Sequence, residues 1–306
     1  MEVIKANLPG MPTLDIMVPT HNKVDLTKRC VESIYFNTKS PFHLIICDDS
    51  TDKLTPLYFR ELLGGGVGPL GKTNNLTFIH LPEGFKEGNQ FFNTALRYTK
   101  SEYLAMVMNS VLVEPGWELF ALSNMMPNNP TLGLIGFKCL FGGVSNKVGH
   151  IESAGIKMVK YTPTDIGRDE PGHRLTDVYE CDAVQWAFAL GRKKALVGNL
   201  EEGIFYGHRG WDDIDDSFAV KAKGWKIAYC GLGAGYHEPR ATRGNNSPEA
   251  QEENKVNGQK FIKRWGLWDE FVKDYPSGQE VHSLAPEIAE QQQSMNTIAF
   301  QQSREN

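Results

Sequence analysis

The chain has 306 residues, 41% of them hydrophobic and 23% charged, and a formal net charge of -5. That length allows one large domain or two small ones with a substantial core, and the composition excludes disorder over most of the chain. Lysine and arginine are scattered, so the sequence lacks the electrostatic footprint of a duplex nucleic-acid binder.

The five cysteines (Cys30, Cys47, Cys139, Cys181 and Cys230) are odd in number and far apart, and most lie in apolar runs. They are expected to be reduced core thiols, since no metal-ligand spacing relates them. No apolar run reaches the ~18 residues of a membrane span, and "MEVIKANLPGMPTLDIMVP" lacks the basic flank and apolar stretch of a leader. The expected location is cytoplasmic.

In chain order, "LDIMVP" (14–19) predicts a buried strand. "VDLTKRCVESIYFNT" predicts a helix with Leu26, Cys30 and Ile34 at four-residue spacing and Asp25 as its cap, and "FHLIICDDS" a second strand, making a β-α-β unit. "LTFIHLP" (76–82) is a third strand, "GNQFFNTALRYTK" a helix with Phe92, Ala95 and Leu96 on one face, and "EYLAMVM" a fourth strand. Alternating strands and helices imply a parallel sheet covered on both faces.

After residue 130 the pattern becomes mixed α+β. "TLGLIGFKCLF", "HIESAGIKMV" and "CDAVQWAFALG" predict strands, "WDDIDDSFAVKAKG" a helix stopped by Gly224, and "WKIAYCG" one more strand. "NNSPEAQEENKVNGQKFIKRWG" predicts a last helix, followed by a polar tail.

Ligands of open parallel sheets sit beyond the carboxyl ends of the strands. Polar clusters fall there: Thr20, His21 and Asn22 after the first strand, Asp48 through Asp52 after the second, and Asn109 and Ser110 after the fourth. Caps and turns explain such clusters singly. The adjacent carboxylates Asp48 and Asp49, directly after "HLIIC", suggest in addition a ligand that donates hydrogen bonds, such as a nucleobase imide. Gly84 and Gly88 suit a loop approaching a ligand closely, and Asn89 and Asn93 lie one turn apart at the start of a helix whose free N–H groups favour phosphate.

This ordered set, from "VPTHNKVDLTKRCVESI" through "IICDDSTD", "PEGFKEGNQFFNTALRYTKSEYLAMVMNSVLVEPGW" and "IESAG" to "WDDIDDSFAVKAKGWKIAYCGLGAGYHE", resembles the family-2 glycosyltransferases with the GT-A fold, most closely their rhamnosyltransferase-like branch. The resemblance implies an α/β fold with a Rossmann-like, mostly parallel central sheet flanked by helices. It implies a GT-A domain over 13–240, with a nucleotide-sugar half to about 115 and an acceptor half from about 116. Residues 1–12 would be an amino-terminal extension, 241–275 a helical extension and 276–306 a flexible tail.

The activity implied is inverting transfer from a nucleotide-diphosphate sugar, such as a UDP-sugar, to the hydroxyl of a glycan, protein, lipid or modified nucleobase. Pro19, Thr20 and Asn22 match the loop around the nucleotide, and Asp48 or Asp49 the carboxylate that reads the base. Gly84, Gly88 and Asn89 match the loop over ribose and diphosphate, and Asn109 and Ser110 the end of the fourth strand. Asp212, Asp213 and Asp215 match an acidic segment in which Asp213 is the general base, and His237 a histidine near the metal or diphosphate.

Two departures stand out. Where the family ends its fourth strand with an aspartate that binds Mn²⁺ or Mg²⁺, this chain has Val111, so Glu114, or His237 with an acid of the 212–215 segment, would hold the divalent cation, or Arg209 or Arg240 would neutralise charge instead. Trp186 replaces a small residue near the acceptor, where an indole would form a stacking wall for a sugar ring or base, fill part of the pocket, or be a core tryptophan whose N–H finds a partner. Rival readings are a lapsed sugar-nucleotide-binding module, motivated by Val111, and a nucleotidyltransferase. A glycine-rich triphosphate loop is missing near the first strand, which counts against the second rival.

Overall fold

The computed structural model describes residues 1–5, 13–65, 70, 73–143, 145–159, 162–205, 210–238 and 248–265. Arg209, Arg240, residues 6–12 and the tail expected at 276–306 lie outside them.

The amino-terminal half is built on β2 (Leu14–Thr20), α1 (Val24–Asn37), β3 (Phe42–Asp48), α2 (Leu54–Gly64), β4 (Leu76–His80), α3 (Gly88–Leu96) and β5 (Tyr103–Val107). Strand β3 pairs parallel with β2 and β4, and β2 pairs parallel with β5. Ahead of them β1 (Glu2–Lys5) adds an antiparallel edge to β4, so the sheet begins before residue 13. The five residues Leu14 to Val18 are buried together, as expected of a strand covered on both faces.

Two details differ from the sequence reading. Asp25 makes no side-chain cap on α1; Lys23 stands at the cap position in a left-handed conformation instead. Helix α2 was not predicted, because exposed Leu54 and Leu57 blur its amphipathic face. Asp52 marks its start, accepting the Thr55 N–H at 2.8 Å.

The carboxyl-terminal half widens the sheet in mixed fashion. Elements β6 (Val111–Val113), α4 (Met126–Asn128, continuing a π-helical turn Ala121–Met125), β7 (Leu132–Phe141), β8 (Ile151–Ser153), β9 (Ile156–Val159), β10 (Thr162–Asp165) and β11 (Val178–Glu180) precede β12 (Phe188–Arg192). Helix α5 (Lys193–Leu196), α6 (Asp212–Ala222), β13 (Lys226–His237) and α7 (Pro248–Arg264) follow. The sheet runs β1-β4-β3-β2-β5-β12-β7-β13-β11, with β12 antiparallel to both β5 and β7. The predicted strand "CDAVQWAFALG" is therefore strand only from Phe188, and Trp186 sits on the irregular segment leading into it.

Two apolar layers cover the sheet. One joins α1 and α2 to Trp117, Phe137 and Phe188; the other joins α3 to Trp186, Tyr179 and Tyr229. A third cluster binds α6 to α7 through Phe218 and Phe261. All five cysteines are buried free thiols, and burial pushes Cys30 up to about 12. No helix among the described residues is long and apolar enough to cross a membrane.

Candidate active site

The polar clusters after β2 and β3 grip each other. Thr20 Oγ1 donates to Asp48 Oδ1 at 2.7 Å, Ser50 Oγ donates to the same oxygen at 2.5 Å, and His80 Nδ1 lies 2.6 Å from Asp48 Oδ2. Asp48 is fully buried by this set, so it is a strut of the loop and not the carboxylate offered to a ligand. Asn22 is equally committed. Its Oδ1 accepts the Thr51 and Asp52 N–H groups, each at 2.9 Å, and it lines neither of the two cavities described next.

Beyond these strand ends lies a cavity of about 580 Å³ lined by Pro19, Thr20, His21, Asp49, Gly84, Gly88 and Asn109, among others. Asp49 faces it. Its Oδ1 pairs with His21 Nδ1 at 2.8 Å and its Oδ2 accepts the Phe85 N–H at 3.2 Å, leaving further lone pairs for a ligand. Gly84 holds a φ of 80°, which only glycine adopts without strain at this close turn.

Helix α6 brings the acidic segment to the rim. Gly210 and Trp211 both have positive φ, 70° and 73°, turning the chain sharply into the helix. For an indole-bearing residue this is a strained conformation, held here by packing of Trp211 on Phe261 at 5.2 Å. Its first turn carries Asp212, Asp213 and Asp215, where negative charge complements the helix dipole.

These acids then diverge. Asp212 lines the first cavity and a second one of about 590 Å³; Asp213 lines the second only. Asp215 points away from both. Its Oδ1 accepts Trp265 Nε1–H at 2.6 Å and sits 3.3 Å from Arg264 Nε, and burial raises its carboxyl to about 6. Asp215, expected beside Asp213 at the reacting centre, thus ties α6 to α7 and lines neither cavity.

The second cavity adjoins the first, sharing Phe92, Met108, Asn109 and Asp212 with it. Its remaining walls include Ser110, Glu152, Arg168, Trp186 and His237. Trp186 packs edge-on against Phe92 at 4.8 Å, and its Nε1 has no protein acceptor. His237 Nδ1 is 2.7 Å from Glu152 Oε2, which orients the ring. Arg168 Nη1 lies 2.9 Å from Asp165 Oδ2, and its guanidinium sits 5.1 Å from the Phe141 ring centre.

Gly88 serves a purpose that its sequence did not show. A Cβ there would enter the van der Waals shell of the Asp212 carboxylate, so the glycine makes room for an acid of the same chain. Gly88→Ala is expected to displace the Asp212 carboxylate at a cost of about 1–3 kcal/mol in stability. Thermal melting checks this, and an unchanged melting temperature would show that the Asp212 carboxylate moves aside freely.

Of the two substitutes for the missing metal aspartate, His237 lines the second cavity together with Asp212 and Asp213, whereas Glu114 does not reach it. Glu114 lines a third cavity, of about 500 Å³, with Lys138 and Tyr236. Alternation along β7 and β13 sets Leu140 and Tyr236 toward that cavity and Phe141 and His237 toward the second one, so Glu114 is on the other face of the sheet. Val111 has no exposed surface and packs in the core, opposite His237 in the β6–β13 ladder. Among the described residues, no three His, Cys, Asp or Glu side chains are grouped to hold a metal ion.

Residues 15–135 match the model of the family described as "Glycosyl transferase family 2". Among solved structures the chain is similar to the crystal structure of GalNAc-T7 with UDP, GalNAc and Mn²⁺, with a TM-score of 0.61 and 14% identity over 85% of this chain and 50% of that one. The fold is GT-A. The chain spans about half the length of GalNAc-T7. A second GT-A relative is the mannosyltransferase PcManGT from Pyrobaculum calidifontis, in complex with GDP-Man and Mn²⁺, with a TM-score of 0.52 and 14% identity over 97% of this chain and 83% of that one. No curated protein sequence matches the chain. Such distant likenesses establish the GT-A fold, while function is a matter of the site.

Sequence reasoning missed Glu152, Arg168 and Glu253, the last reaching the first cavity from α7. A charged residue inside the apolar stretch "HIESAG" was a usable signal for Glu152; nothing local marked the other two.

Proposed function

We propose that the protein transfers a sugar from a nucleotide-diphosphate donor to an acceptor hydroxyl, with inversion. The observation that carries this reading is the pair of adjoining cavities divided by Phe92, Asn109 and Asp212, with Asp213 on one side of the divide only. The first cavity takes the donor and the second the acceptor.

In this arrangement Asp49 accepts hydrogen bonds from the base, and Gly84 lets the 83–88 loop approach the ribose and diphosphate. Asp213 takes the proton from the acceptor hydroxyl as its oxygen attacks the anomeric carbon, while the nucleoside diphosphate leaves from the opposite face. A positioned base of this kind contributes about 10²- to 10⁴-fold. Trp186, Phe92 and Phe141 exclude water from the acceptor side, and His237, oriented by Glu152, offers its other ring nitrogen there.

Among the described residues no three His, Cys, Asp or Glu side chains are grouped as a complete cation site, so a divalent cation would need the donor's own phosphates to complete its ligands. The donor cavity is nonetheless lined by Asp49, Glu83, Asp212 and Glu253, with no described lysine or arginine. A bare diphosphate would be repelled by that lining, so the donor is expected to enter with its own Mn²⁺ or Mg²⁺, as the metal–diphosphate complex. The rhamnosyltransferase-like resemblance leaves the sugar itself to experiment.

A lapsed binding module is the second reading, favoured by the core position of Val111. Calorimetry with UDP, GDP and their sugars, each with Mn²⁺ and with chelator, followed by assay of nucleoside-diphosphate release, tests both. Cation-assisted binding with release on adding a hydroxyl acceptor is expected. Binding without release under any acceptor would favour the module, and no binding at all would overturn both.

A further inference from the structure

Asp216 has no exposed surface, and α6 buries it behind the acidic first turn. Among the described residues its hydrogen-bond partner is Asn89, at the start of α3, whose Nδ2 donates to Asp216 Oδ1 at 2.9 Å and also to the Glu201 carbonyl at 3.0 Å. The Glu201 contact fixes which way the amide faces, because only an NH2 group can satisfy a carbonyl.

That orientation leaves two buried oxygens, Asn89 Oδ1 and Asp216 Oδ2, without a donor. A buried oxygen left without a donor is destabilising, because it has given up its hydrogen bonds to water. One proton satisfies both. We infer that Asp216 is a neutral carboxylic acid whose Oδ2–H donates to Asn89 Oδ1, closing a reciprocal acid–amide pair that clamps the start of α3 to α6.

The surroundings support a retained proton. Burial, then the charges of Asp212 and Asp215, and also that of Asp213, push the Asp216 carboxyl well above its ordinary value, against the Asn89 hydrogen bond, which lowers it. Helix α3 has no titratable side chain of its own. Nearby Arg264 is engaged with Asp215 and Glu201, and Glu202 accepts the Asn93 amide.

The clamp gives Asp216 a positioning role. It sets the register of Gly88 against Asp212, and so the shape of the divide between the two cavities. That consequence rests on the function proposed above; the protonation state does not.

The test is carbon-13 NMR of the full chain labelled at aspartate carboxyl carbons, with Asp216→Asn identifying the resonance. Asp216 is expected to be protonated at about pH 7, and an ionised Asp216 at that pH would overturn the inference. As an independent reading, Asp216→Asn should bind UDP or GDP within about twofold of the parent, because an amide can donate and accept in the same pair, while Asp216→Ala should bind about tenfold more weakly. Equal weakening by both substitutions would also overturn it. If the parent protein binds no nucleotide, the proposed function falls, and the NMR result alone decides the clamp.

Discussion

Asp213→Asn is expected to lower turnover by about 10²- to 10⁴-fold while leaving donor affinity within about twofold. The substitution keeps size and polarity, so the packing of α6 is preserved. Ser217 Oγ donates to the Asp213 backbone carbonyl, and Ile214 N–H to its side-chain Oδ1, a contact an asparagine oxygen also accepts. What is lost is the capacity to take a proton on the acceptor side of the divide. Steady-state release of nucleoside diphosphate, with calorimetric donor binding alongside, separates the two quantities. Asp215→Asn provides the control: Asp215 faces Trp265 and Arg264, so turnover there should change little. Full turnover by Asp213→Asn would remove Asp213 from the role.

Val111→Asp is expected to destabilise the fold by about 3–5 kcal/mol and to add no dependence on divalent ions beyond that of the parent. By sequence alone the substitution would restore a family metal ligand. In the structure the Val111 side chain has no exposed surface, belongs to the same core layer as Trp117 and Phe188, and leaves no room beside Gly235, where an added Cβ would stand 3.0 Å from Val111 Cγ1. An aspartate there would be a buried charge without a partner. Thermal melting should show the loss, and binding of UDP or GDP with and without chelator should match the parent at temperatures where the variant is folded. A stable variant whose nucleotide binding depends more strongly on divalent ions than the parent's would show that the β6 backbone can turn this position into the cavity.

Much of the fold was legible because burial on two faces writes itself as uninterrupted apolar runs. "LDIMVP", "HLIIC" and "LAMV" needed no long-range information to be read as strands of a parallel sheet. Elements whose stability comes from partners elsewhere were harder to see. Strand β1 exists because β4 offers an edge, and β12 is inserted antiparallel between β5 and β7, a placement that no local pattern encodes.

The site divides in the same way. The order of its polar clusters lay in the sequence, since strand ends and helix starts are local features: Asp49, Gly84, Asn109 and Asp213 all reach a cavity. Which member of each cluster faces outward did not. Asp48 and Asp49 are neighbours with the same chemistry, yet Asp48 is consumed by Thr20, Ser50 and His80, whereas Asp49 lies on the cavity wall. Asp213 and Asp215, two positions apart on a helix turning about 100° per residue, necessarily look in different directions. The sequence by itself determined the strands, the helix that carries the acids and the rim where they gather, because these depend on periodicity along one segment. Only the tertiary structure decided that Val111 belongs to the core, that Glu114 lies on the far face, and that Asn89 answers to Asp216. Those facts depend on which side chains from distant segments compete for the same buried space and the same hydrogen bonds.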